Sequence, residues 1–146
     1  FTTFVPEGRN GRSTQAGLKG MRAALGSEGE EAMLKRFFQR SIQPLSLSAC
    51  PPSPLLKGIS SDGRQRLHDD LILLETCRNF PLGWPSKARV LVIQGGQDAV
   101  VHPNSHQQLL DQLGSQVERI HRGPDWGHAL ITTEVLAVVE RWIESL

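Results

Sequence analysis

The chain has 146 residues, 38% of them hydrophobic, and a formal net charge of +1. That length suits about one ordinary domain with its own core. No stretch approaches the roughly 20 consecutive apolar residues that cross a bilayer, and the near-neutral balance gives no bulk argument for nucleic acid. Neither a membrane nor a nucleic acid is therefore expected as a partner.

Charge is unevenly placed. Residues 1–50 carry seven Lys/Arg against four Asp/Glu, whereas residues 101–146 carry three against six. A basic half and an acidic half suggest two surfaces with different jobs. The two cysteines, Cys50 and Cys77, make no disulfide framework. Cys77, in an apolar helical run, reads as a small buried hydrophobe. No signal or transit sequence is visible, so the expected location is cytoplasmic.

In chain order, residues 1–12 read as a Gly-rich polar loop. Ser13 or Thr14 then caps a short helix that Gly26 ends. EGEEAMLKRFFQRSIQ predicts a second helix, with acids in its first turn and Lys35, Arg36 and Arg40 further along, as the macrodipole favours. Ala32, Met33, Phe37 and Ile42 mark its apolar side, and Pro44 stops it. Residues 44–60 look irregular. A third helix runs from Asp62 to about Asn79. Its Leu-Ile-Leu-Leu centre predicts packing on more than one face. Residues 80–87 are a linker.

The pattern then changes. Residues 88–94 form a continuous apolar run rich in β-branched residues, which suits a strand of a parallel sheet covered on both faces. Pro103 opens a short helix. Residues 116–120 are a second strand, GPDWGH is a loop, and residues 131–145 are an amphipathic helix. Leu136, Val139, Ile143 and Leu146 are its expected buried stripe. The expected fold is α/β, with a helical segment over residues 1–80 and an α/β segment over residues 81–146.

In open α/β sheets, sites lie beyond the carboxyl ends of the strands. Asp98 follows the first strand after the Gly95-Gly96 turn, and His128 follows the second. Neighbouring parallel strands bring a carboxylate and an imidazole to one edge. A carboxylate there fixes the tautomer of a histidine base and stabilises its protonated form. The plainer reading makes Asp98 a turn cap and His128 a loop histidine.

GGQDAVVHP followed by GPDWGHALI resembles the C-terminal end of the α/β-hydrolase fold. The resemblance implies that Asp98 is the acid and His128 the base of a nucleophile–acid–histidine order. Residues 1–80 then fall where that family inserts a helical cap. The upstream G-x-S-x-G elbow has no counterpart in this sequence. The sequence therefore reads as a C-terminal fragment (cap plus last strands) that begins just after the sixth strand, without the nucleophile. LKRFFQR, HDDLILLETC and the direct run into the Asp-bearing strand are similar to the pimeloyl-carrier-protein methyl ester esterases of biotin synthesis. That similarity implies a small acyl ester substrate, no cofactor and an acidic acyl-carrier protein as partner. Arg22, Lys35, Arg36 and Arg40 are then the docking candidates.

Phe37, with Phe38 and the 71–74 run, lines an acyl pocket in that reading or else packs the cap on the core. Trp126 walls the site or packs its loop. His102 and His106 have metal-holding i, i+4 spacing but no third ligand, so they are expected on a solvated helix face and no metal is expected. Asp125 lies too near His128 in sequence to be its acid. The alternatives are a non-catalytic partner-binding module, or another chemistry of the same fold: a peptidase, lactonase, dehalogenase or epoxide hydrolase. A two-stranded sheet with a detached cap would leave apolar faces open and favour aggregation.

Overall fold

The computed structural model describes residues 3–46, 58–80, 83–85, 87–130 and 132–146. Three helices come first: α1 (Gly8–Ala24), α2 (Glu30–Ile42) and α3 (Ser61–Thr76). Strand β1 (Val90–Gly95), helix α4 (Pro103–Leu113), strand β2 (Val117–Gly123) and helix α5 (Thr133–Ile143) follow. The strands pair in parallel, with Gly95 opposite Gly123. The α/β order read from residues 81–146 is therefore present, on a sheet of two strands among the described residues.

Local chemistry sets most of the boundaries. Ser60 caps α3 by accepting from the Gly63 N–H at 3.1 Å, and Thr132 caps α5 at Val135 N–H, 3.3 Å. Pro103 opens α4, where its missing N–H costs nothing. Helix α1 begins at Gly8, and its N-cap Glu7, six or seven residues before the expected Ser13 or Thr14, makes no side-chain cap. Packing supplies what the cap does not: Gly11 lies so close to the Pro6 carbonyl that a Cβ there would collide with it. Residues 47–57, including Cys50, lie outside the described residues.

The central core cluster joins the two halves of the chain. Phe4, Val5, Leu18 and Leu71 are buried together with Val101 from the loop after β1. Polar ties reinforce this junction. The buried Ser105 hydroxyl donates to the Phe4 carbonyl at 3.2 Å, and Asn10 pairs with His102 at 2.9 Å. The helical segment is thus built into the same core as the α/β segment, and the expectation of a detached cap is corrected. Burying Val101 and Leu18 together stabilises by about 1.5–3 kcal/mol per fully covered aliphatic side chain.

Three further expectations are overturned by packing. On α5 the buried residues are Val135 and Val138, while Leu136, Ile143 and Leu146 are each more than half exposed. A sheet of two strands is narrower than the apolar arc of this helix and covers one stripe of it. On α3 only Leu71 is buried, and Leu73 faces solvent, so the helix is covered along one line rather than on several faces. Cys77 is a half-buried free thiol at the C-cap of α3, where the chain has already turned away from the helix axis. Among the described residues, no helix is long and apolar enough to cross a membrane.

Candidate functional site: a carboxylate between two imidazoles

Both loops at the carboxyl end of the sheet are built on close backbone approach. A Cβ on Gly95 would collide with the carbonyl oxygens of Gly127 and Trp126. Glycine at that position therefore lets the GPDWGH loop lie against the end of β1. Hydrogen bonds then lace the two loops: Gly96 N–H to Gly123 O and Gln97 N–H to Trp126 O, both 2.8 Å. Gly127 is equally constrained on its other side, where a Cβ would strike the Gln43 carbonyl at the end of α2. Ala129 N–H donates to Ser41 O at 2.9 Å. The His128 backbone is thus held between β1 and α2.

Asp98 and His128 are brought together as the sequence predicts. His128 Nδ1 lies 3.1 Å from Asp98 Oδ2. An ionised carboxylate only accepts, so Nδ1 carries the proton, and in the neutral ring Nε2 is left as the basic nitrogen. The other carboxylate oxygen, Oδ1, accepts from Val100 N–H at 2.8 Å and Val101 N–H at 3.0 Å. Val101 thereby does two things: its side chain is buried in the core and its N–H holds the acid.

His106 is the residue that sequence reasoning placed wrongly. It does not sit on a solvated face. Its Nε2 lies 3.4 Å from the same Asp98 Oδ2, and its side chain is 18% exposed. Residue 106 stands one turn into α4, and the helix drops it back over the strand end. Leu109, Leu110 and Leu113, at i+3, i+4 and i+7 from His106, were the available signal of an inward face. His102 instead caps α4 through Nδ1, accepting from Asn104 N–H at 3.1 Å.

Asp98 is 7% exposed at its side chain. Burial pushes its pKa up, but contacts with His106 and His128 and the two backbone N–H donors push it down further, and the net direction is well below the ordinary carboxylate range. The group is therefore ionised across physiological pH. Asp125 takes no part: it is exposed and accepts from Gln97 at 3.5 Å. Among the described residues, no group of three or more His, Cys, Asp or Glu could hold a metal ion.

The remaining candidates have different surroundings. Arg40 donates to the Ala99 carbonyl, which ties α2 to the loop carrying Asp98. Arg22 pairs with the half-buried Glu75 at 2.8 Å. Both guanidinium groups are thus used inside the fold. Lys35 and Arg36 are exposed on α2. Phe37 is half-buried and stands edge-on to Phe38 with ring centres 6.1 Å apart. Trp126 lies against Gly123 and His121 and donates to Glu134 at 2.9 Å. It walls an open cleft of about 640 Å3 with Ile42, Leu45 and Pro124. A second cleft of about 280 Å3 opens over Asp98, His106, Gln94 and Arg122. Phe37 lines neither cleft.

Comparison with protein-family models, with curated proteins and with solved structures finds no match for the chain.

Proposed function

We propose that the chain carries the acid and the base of a serine-type carboxylic ester hydrolase of the α/β-hydrolase kind. The observation that carries this reading is the 3.1 Å contact between Asp98 and His128 across two adjacent parallel strand ends. His128 Nε2 takes a proton from the attacking hydroxyl and later returns it to the leaving alcohol, while Asp98 holds the ring and stabilises its protonated form. These 146 residues hold no G-x-S-x-G elbow, the motif that presents the nucleophile in this reading. The proposed substrate class is a small acyl ester, with acyl methyl esters the best fit to the resemblance, and the chemistry needs no cofactor. An acidic acyl-carrier protein remains the proposed partner, on a patch reduced to Lys35 and Arg36, since Arg22 and Arg40 are engaged internally. Those two exposed cations also favour the second reading, a module that binds an acidic partner without catalysis.

The pair can be tested without a serine, because an imidazole nitrogen attacks an activated ester directly. Nε2 adds to the carbonyl of p-nitrophenyl acetate, the C–O bond breaks to release p-nitrophenolate, and water frees the acyl group from the ring. His128→Ala should remove most of the p-nitrophenolate released above buffer background, and Asp98→Asn should lower it severalfold. A His128→Ala protein as fast as the original would overturn the reading.

A further inference from the structure

Asp98 is a carboxylate with three hydrogen-bond donors and a second imidazole 3.4 Å away. Two oxygens offer about four lone-pair directions. Val100 and Val101 N–H groups take Oδ1, and His128 and His106 both converge on Oδ2. An acid that only orients a base needs one imidazole partner. The second imidazole has to be accounted for.

We propose that His106 is a positioning residue for the Asp98–His128 pair, which holds Oδ2 in place and shares its negative charge. The proposal rests on the reading of Asp98 and His128 as acid and base. His106 reaches the carboxylate from α4, whereas His128 reaches it from the β2 loop and the two N–H donors lie in the β1 loop itself. Donors from three separate elements leave the carboxylate no rotation that keeps all four contacts. That is the condition for presenting a fixed oxygen to His128 Nδ1. Charge sharing follows from the same geometry. Two N–H donors on one oxygen each draw on its electron density, so the hydrogen bond to His128 is weaker than it would be alone. His106 thus sets both the direction and the strength of the contact that orients the base. The distances agree with a division of this kind, 3.1 Å to His128 and 3.4 Å to His106. The first is the principal bond and the second a restraint on it.

The test reads imidazole protons directly in the complete 146-residue chain by 15N-edited NMR with labelled histidine. In the unsubstituted protein, His106 should carry its proton on Nε2 and His128 on Nδ1. His106 found with Nε2 unprotonated has no donor to offer, and the proposal fails without any variant being made. His106→Leu removes the donor at similar bulk. It should move the His128 Nδ1 proton downfield as the bond strengthens. His106→Gln, whose amide nitrogen stands near the place of Nε2, should leave that signal close to its original position. A His128 signal unmoved in His106→Leu would overturn the proposal, as would loss of the fold in both variants, which would make His106 a packing residue. Asp98→Asn separates this failure from that of the underlying reading. If the amide leaves the His128 signal unchanged, Asp98 and His128 are not a pair and the function proposed above falls with it. If the amide moves the signal and His106→Leu does not, only the role of His106 is lost.

Discussion

Two carboxylates with buried side chains, Glu30 and Asp98, are held in contrasting ways. Glu30, at the start of α2, receives the Arg64 guanidinium in a two-pronged bond, 2.6 and 3.0 Å, together with the Gly26 N–H at 2.6 Å. Asp98 receives two imidazoles and two backbone N–H groups and no permanent cation. Both pKa values lie below the ordinary carboxylate range. For Glu30 the Arg64 hydrogen bond is the main cause. For Asp98 burial works against ionisation and the four donors overcome it. A guanidinium keeps its proton at any pH a protein meets, so the Glu30 pair is a fixed staple between α2 and α3. An imidazole is not a permanent cation, so the Asp98 cluster rests on hydrogen-bond contacts rather than on a fixed charge pair.

The largest effect of a substitution should come from the core that joins the two regions. Leu71→Ala removes a side chain packed in the cluster with Leu18 and Val101. It should cost about 2–4 kcal/mol in denaturant unfolding, with the helical and sheet halves lost in one transition. Two separate transitions would contradict a shared core. Next is the acid itself. Asp98→Ala strands two buried backbone N–H groups and two imidazoles, and should cost about 2–3 kcal/mol. Asp98→Asn retains an acceptor and should cost less. If the alanine variant were as stable as the original, the four-donor cluster would have no energetic content.

Acid titration of stability should come third. Each carboxylate has a lowered pKa in the folded state. Each therefore contributes stability that is complete above its unfolded value of about 4 and is lost as pH falls toward the folded value. Stability should drop steeply below about pH 4, and Glu30→Gln and Asp98→Asn should each flatten part of that drop. A chain as stable at pH 2.5 as at pH 6 would show that neither pair contributes. Salt should separate the two variants further, because the Arg64 side chain is exposed enough to be screened. The smallest effect belongs to a local contact outside both regions. Ser60→Ala removes the cap of α3 and should cost about 1 kcal/mol by thermal or urea unfolding, with no change in the imidazole spectra.

The difference between these regions also marks how far the residues can be read in order along the chain. Helix α2, the Pro103 start of α4 and the strand–helix–strand–helix succession follow from spacing and from capping and proline chemistry, which act within a few residues. The pairing of Asp98 with His128 is legible for a related reason. Two adjacent parallel strands must end at one edge, and each of these residues follows such an end.

Read along the chain, the residues set the element order and the meeting of Asp98 with His128 at one sheet edge, because hydrophobic periodicity and strand ends are local properties. Only the tertiary structure decided which stripe of α5 is buried, that Arg22 and Arg40 are engaged inside the fold, and that His106 joins Asp98. Each of these depends on which surface meets which partner across tens of residues, and burial is a property of that meeting rather than of the segment. His106 shows this most plainly. Its i, i+4 partner His102 is a helix cap, while His106 itself lies against Asp98 at the sheet edge.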